Sequence, residues 1–456
     1  MMDTVAAAQA VRGRALGGCA AFRRVTTDSR DLEPGDLFVA LRGERFDGHD
    51  FVAAALARGA VGAIVADDRA ADLPGVRIAV ADPLAALGEL AAHWRARFTL
   101  PLAVIVGSNG KTTVKEMTAA ILREEFGADG VLATRGNLNN AIGLPLTLLR
   151  LTPAQRAAVI ELGMNHRGET RELVAIARPT VVVVNNAQRE HQEFMTSVAD
   201  VAAEHAEAIA GLAPGGVAVL NADDAHIDLW RAAAARAQAR VVSFGFAAGS
   251  DVTATLRAAA TGSVLALNTP VGHAHVNLAA PGLHMARNAL AAAAAAIAAG
   301  ASIGAVKRGL AAFRPVAGRL VAVRATGGAS VLDDSYNANP DSMRAAIEVL
   351  AAAAGTRVLV MGDMGEVGAE GPAFHREIGA YARERGVHRL YALGALSVEA
   401  VAAFGAAAAH FTDPAALAGA LAAETGEGAT ILVKGSRFMR MERIVATLTG
   451  RGDEAH

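Results

Sequence analysis

The run Val104-Ile105-Val106-Gly107-Ser108-Asn109-Gly110-Lys111-Thr112-Thr113 holds the residues best suited to chemistry. An apolar, β-branched stretch enters a glycine-containing turn, and a helical pattern follows over 114–126. At such a helix start, free N–H groups and the positive dipole end favour anionic oxygens. Lys111 adds a point charge for outer phosphates, and the Thr112 hydroxyl can ligate Mg²⁺. The strict phosphate-loop formula puts its first glycine where Ile105 stands; here the first is Gly107, so the loop is shortened. The plain alternative is a strand–turn–helix corner with a solvated lysine. Lysine usage weighs against it, because the only lysines are Lys111, Lys115, Lys307 and Lys434.

The rest of the chain must position this loop. At about 150 residues per domain, 456 residues allow about three domains. Hydrophobic residues are 53%, charged residues 19% and the net charge is −2, which excludes a disordered chain and a general nucleic-acid binder. The single cysteine, Cys19, excludes an intrachain disulfide and a cysteine-based zinc site. Mean hydropathy is +0.31, and the most apolar stretch is the uncharged run 289–306. That run is mostly alanine and is broken by Gly300, Ser302 and Gly304, so it reads as a buried helix followed by a turn, not as a membrane insertion. The N-terminus has an early Asp3 and no long apolar core, so it is no secretory signal and the chain is expected in the cytoplasm.

Short β-branched runs alternate with alanine-rich helical stretches, the mark of α/β architecture with largely parallel sheets. Strands are expected at 36–41, 61–65 and 76–80, then at 102–106, 158–161, 181–184, 217–220 and 241–244. The pattern over 252–278 alternates and contains Thr and Ser, which suggests an antiparallel appendage. A helix is expected over 284–299, a hinge at Arg314-Pro315-Val316-Ala317-Gly318, and strands at 330–332, 357–361, 389–393 and 430–433. The expected domains are therefore 1–98, 99–314 and a Rossmann-like 315–456.

GSNGKTT, with its short glycine spacing, resembles the phosphate loop of the Mur ligase superfamily. The segments DSRDLEPGDLFVALRGERFDGHDF, TRGNLNNAIGLPLTLL, ELGMNHRGE, DDSYNANPDSM, MGDMGEVG and VKGSR extend the resemblance over about residues 25 to 445. It implies a three-domain Mur ligase architecture with a UDP-substrate-binding domain, a P-loop central α/β domain and a Rossmann-like C-terminal ligase domain. It implies an ATP- and Mg²⁺-dependent amide synthesis in cell-wall (peptidoglycan) precursor assembly, by a protein acting as a monomer. The terminal carboxylate of a UDP-N-acetylmuramoyl-tripeptide would attack the γ-phosphate and become an acyl phosphate. The amine of D-alanyl-D-alanine would then displace phosphate. A free carboxylate is anionic and a poor electrophile, so activation is needed, and cationic groups offset charge on the transferring phosphoryl.

By the same resemblance, Lys111, Glu161, His191 and Arg319 carry the chemistry, with Thr112, Glu161 and His191 at the metal. Glu161 ends the AAVIE run, where α/β sheets present ligands. Gly107 to Thr113, Asn288, Arg319 and Asp334 would bind ATP, with Asn288 at the adenine and Asp334 at the ribose. Ser29, Arg30, Asp47, Gly48 and His49 match the UDP-binding surface, where an arginine fork suits a diphosphate. Asn137, Asn139 and Asn140 would lie near the sugar-phosphate part of the acceptor. Asn337, Asn339 and the turn Lys434-Gly435-Ser436-Arg437 belong to the third domain's inner face, with no individual chemistry assigned.

The chain departs from the family at His205. Many related ligases carry there a lysine modified by CO₂, whose carbamate bridges the metal ions. No lysine lies between Lys115 and Lys307, so that bridge is impossible here. Either His205 or Glu207 substitutes in part, or substrate phosphates, His191 and water hold the second metal; a solvated helix position is the expectation for His205. Two other functions compete. One is another superfamily reaction, addition of the third peptide residue or of a glutamate; Asp341 stands directly after Pro340, where an arginine would grip the incoming carboxylate. The other is a nucleotide-dependent switch without turnover, which needs only the loop.

Overall fold

The computed structural model describes residues 1–259 and 262–451. Three mainly parallel sheets follow one another along the chain. The first lobe's sheet runs Arg14–Leu16, Arg77–Val80, Gly62–Ala66, Asp36–Val39, Arg24–Thr26, and only its first pair is antiparallel. The second lobe's sheet runs Arg240–Phe244, Val217–Asn221, Val181–Val184, Leu102–Val106, Ala157–Glu161, Val131–Ala133 and is wholly parallel. Its inner strands read as unbroken apolar runs because helices cover both faces. From Leu102–Val106 the chain goes to the edge strand Val131–Ala133, returns to place Ala157–Glu161 between them, then crosses to Val181–Val184 on the other side. Such a reversal opens a crevice at the carboxyl ends of the strands, and there the phosphate loop lies.

The appendage is a three-stranded antiparallel meander, Thr253–Ala259, Gly262–Thr269 and Gly272–Leu278. The alanine run behaves as expected. Leu283–Ala298 is a buried helix, a turn follows, and Ser302 caps the next helix, Ile303–Ala312, by accepting from Ala305 N. Small residues let these helices approach Lys111–Phe126; a Cβ on Gly309 would stand 2.4 Å from Ile121 Cα. Among the described residues no helix is long and apolar enough to cross a membrane.

The third lobe's sheet runs Val321–Arg324, Ser330–Asp334, Ala429–Lys434, Thr356–Gly362, Arg389–Leu393, Ala408–Phe411, again with one antiparallel edge pair. The first two lobes share one continuous apolar core, whereas the third has cores of its own. The helix Pro83–Arg95 makes that first connection. Trp94 Nε1 donates to Leu151 O at 2.9 Å and Arg95 Nε donates to Ala177 O at 3.1 Å. The third lobe is thus the one joined by the least shared core, and Gly318, with φ +71°, sits at its entrance.

Candidate active site

The phosphate-loop helix begins at Lys111, one turn earlier than its apolar pattern indicates. Val114 N donates to Gly110 O at 2.8 Å, so the polar residues Lys111, Thr112 and Thr113 form the first turn. Their N–H groups have no intrahelical acceptor. Both loop glycines are required by space and backbone. Gly107 has φ +138°, and a Cβ there would meet Asn185 Cβ at 2.9 Å. Gly110 has φ +83°, and a Cβ there would meet Asn288 Oδ1 at 2.5 Å.

Asparagines that the sequence did not single out hold the loop. Asn109 N donates to Asn186 Oδ1 at 2.8 Å, and Asn185 Nδ2 donates to Asn109 O at 2.7 Å and to Asn288 Oδ1 at 3.0 Å. Asn109 and Asn339 exchange amide hydrogen bonds at 3.2 and 3.0 Å, which ties the loop to the third lobe.

Lys111 Nζ donates to Gly107 O at 2.6 Å and Ser108 O at 3.3 Å, and lies 3.4 Å from Glu190 Oε2. Glu190 is buried. Burial alone would raise its pKa, but Lys111, His205 and His191 outweigh that and hold it at about 2. The expectation of a solvated His205 is corrected: it is 1% exposed, and its Nε2 lies 3.4 Å from Glu190 Oε1. Glu207 faces away and pairs with Arg171 at 2.9 Å.

Glu161 is 3% exposed at the end of its strand. Asn139 Nδ2 donates to its Oε1 at 2.9 Å, while Oε2 is buried without a hydrogen-bond partner among the described residues. An orphaned carboxylate oxygen beside Thr112 in one polar cavity suits a hard cation such as Mg²⁺. His191, in left-handed backbone at φ +49°, lines the same cavity, with Nδ1 2.6 Å from Glu366 Oε2 and Nε2 3.7 Å from Glu190 Oε2. Among the described residues no group of three His, Cys, Asp or Glu side chains converges as a metal cage.

Lys111, Thr112, Glu161, Glu190 and His191 open onto a cavity of about 1120 Å³ between the second and third lobes. Of the site residues expected in those lobes, only Gly107 is outside its lining; Ser108 to Thr113, Asn137, Asn139, Asn140, Glu161, His191, Asn288, Arg319 and Asp334 all contribute. Arg319 stacks over the Tyr336 ring at 4.3 Å. Asp334 Oδ2 pairs with Lys434 Nζ at 2.6 Å, and Lys434 also donates to Asn337 O at 2.8 Å. Asn140 Oδ1 accepts from Ile142 N and Gly143 N at 3.1 and 2.9 Å, which fixes the asparagine loop.

The first-lobe site residues are apart from this cavity, and among the described residues Leu84 alone lines it from that lobe. Arg30 is exposed and pairs with Asp28 at 2.7 Å, in the turn that also holds Ser29. Asp47 starts the turn at Gly48, whose N–H donates to Leu41 O at 2.8 Å. His49 is 1% exposed with both ring nitrogens occupied: Nδ1 is 2.5 Å from Asp47 Oδ1, and Nε2 accepts from Ala66 N at 2.9 Å. Its ring braces the turn and leaves no nitrogen for a ligand.

Three α/β lobes with a phosphate loop at the switch point define a nucleotide-handling enzyme of the phosphate-loop class. The chain belongs to the Mur ligase family: residues 21–95 match the Mur ligase family catalytic domain, 105–296 the Mur ligase middle domain and 318–437 the Mur ligase glutamate ligase domain. It is 44% identical to UDP-N-acetylmuramoyl-tripeptide–D-alanyl-D-alanine ligase of Escherichia coli over 97% of each chain. Among solved structures it resembles MurF from Acinetobacter baumannii, with TM-score 0.90, 34% identity and 98% of each chain covered. It also resembles MurF ligase from Thermotoga maritima in complex with ADP, with TM-score 0.81, 26% identity and coverage of 94% and 97%.

Proposed function

We infer that this chain is an ATP-dependent amide ligase that joins D-alanyl-D-alanine to UDP-N-acetylmuramoyl-tripeptide through an acyl phosphate, in peptidoglycan precursor synthesis. One observation carries the reading. A single cavity brings the Lys111 loop and the half-satisfied Glu161 of the second lobe against Arg319, Asp334 and Lys434 of the third. A switch would need only the loop, whereas transfer needs charge on both sides of the moving phosphoryl. The relatives' names supply the two substrates.

In this reading the first-turn N–H groups and Lys111 bind the terminal phosphates of ATP. Thr112, Glu161 and His191 would hold Mg²⁺, which would neutralise charge on the transferring group. Arg319 approaches the γ-phosphate from the third lobe, Asn288 contacts the adenine and Asp334 the ribose. Asn137, Asn139 and Asn140 receive the acceptor, whose UDP end lies on Ser29, Arg30 and the 47–49 turn. Asp341, where a donor-gripping arginine would stand in the third-residue-adding reaction, is held by Arg189 at 2.6 Å, which weighs against that alternative. We place the functional divisions at 1–98, 99–314 and 315–456, and the protein in the cytoplasm as a monomer.

The test is release of ADP and phosphate. The reading requires both the UDP-tripeptide and D-alanyl-D-alanine for steady turnover. Turnover indifferent to the dipeptide would refute it.

A further inference from the structure

We propose that Glu190, anchored by His205, is the resident counter-ion of Lys111 and a positioning residue for phosphoryl transfer. The proposal rests on the reading that ATP binds at Lys111. The two oxygens of Glu190 face different partners. Oε2 lies 3.4 Å from Lys111 Nζ and Oε1 lies 3.4 Å from His205 Nε2. The His205 ring is buried, and neither of its nitrogens has a hydrogen-bond partner. Glu190 is the one carboxylate within ion-pair distance of it among the described residues. Glu190 therefore cannot be read as a surface acid that happens to be near the loop.

Its neighbours in sequence fix its backbone from the other side. Arg189 reaches Asp341 and Glu377, both at 2.6 Å, and His191 reaches Glu366 at 2.6 Å. So Arg189 and His191 grip the third lobe while Glu190, between them, turns inward to the phosphate loop.

A buried anion and a partly buried cation at this distance hold each other in place, and removing one leaves the other without compensation. A nucleotide phosphate arriving at Lys111 must share the ammonium with Glu190 and meets carboxylate repulsion. Glu190 thus weakens ground-state binding of nucleotide and keeps Lys111 from clamping ATP or ADP too tightly. Binding energy confined to the ground state slows the chemical step.

The experiment measures equilibrium binding of a non-hydrolysable ATP analogue, and kcat, for the full chain and for Glu190→Gln, Lys111→Ala and the double variant. Glu190→Gln is expected to tighten analogue binding about tenfold and to lower kcat at least about tenfold, a split that loss of packing does not produce. In the Lys111→Ala background the same change is expected to tighten binding clearly less, since only the direct carboxylate repulsion is then removed and the competition for the ammonium is already gone. His205→Gln, which removes the anchor, is expected to move binding in the same direction as Glu190→Gln. Glu190→Ala serves as a second variant should Glu190→Gln fold poorly. Weaker or unchanged analogue binding in the folded variant overturns the proposal, as does equal tightening without Lys111. A wild-type chain that binds no nucleotide sinks the ligase reading itself, which separates that failure from this one.

Discussion

At the scale of single residues, the site is a set of charges whose partners define their work. Lys111 has two carbonyls and the Glu190 carboxylate around it, so its ammonium is held at the loop and an arriving phosphate must compete for it. Lys111→Ala should lower kcat/KM by about 10³-fold, because electrostatic stabilisation of the transferring group is lost, and should lower the melting temperature by a few degrees, because Glu190 is left buried without its cation. Steady-state kinetics beside calorimetry check this. Asn139 acts one step further out by holding Glu161 Oε1 and leaving Oε2 free. Asn139→Ala should weaken Mn²⁺ binding about tenfold, measured by electron paramagnetic resonance, as loss of an orienting partner does at other metal sites. Lys111 and Glu161 could be placed from the sequence because one opens a helix and the other ends a strand at a crevice, whereas the asparagine loop was reached only through the family resemblance. Glu190 was not, because a glutamate in a loop looks like any solvated acid until folding brings His205 from another helix against it. The same blindness made His205 look solvated.

At the scale of elements, small backbone facts carry large consequences. Gly110→Ala puts a side chain 2.5 Å from Asn288 Oδ1 and 2.8 Å from Asn185 Nδ2 at a strained φ of +83°, so both amides that brace the loop must give way. Nucleotide binding should fall below detection by calorimetry while the chain stays folded. Gly318→Ala, at φ +71° and 3.2 Å from Tyr336 Cβ, should cost about 1 kcal/mol in denaturant unfolding. The start of helix Leu283–Ala298 also sets a pH response. Burial, with the Lys434 and Arg287 cations, pushes His284 down to about 4. Its folded pKa lies below its unfolded value, so the unfolded chain binds more protons between them. The stability from neutral His284 is present above about 6.5 and is lost as pH falls toward about 4. The melting temperature should drop over that window, and less so in His284→Gln. The long apolar strands and the alanine helices were legible as elements, since their periodicity and composition leave little choice. The short strand Val131–Ala133 and the half-exposed edge strand Val321–Arg324 were not, because pairing with a neighbour, and not local pattern, makes them strands.

At the scale of the whole molecule, two lobes share a core and the third is held mainly by polar contacts across the cavity. Docking through Arg189 depends on ionised Asp341 and Glu377, and the guanidinium holds Glu377 below its ordinary range. Arg189→Ala should therefore raise the radius of gyration of the nucleotide-free protein in small-angle scattering, and ATP analogue with acceptor should compact it again by motion about Gly318. The apposition of lobes was only partly legible: the hinge signal at 314–318 showed where the chain could bend, while the partners that close it lie over a hundred residues apart. The central claim is that a carboxylate oxygen of the UDP-linked tripeptide takes the γ-phosphoryl of ATP beside Lys111. With ¹⁸O in that carboxylate, the account requires one labelled oxygen in each phosphate released with the new amide. Label retained entirely in the peptide product would contradict it.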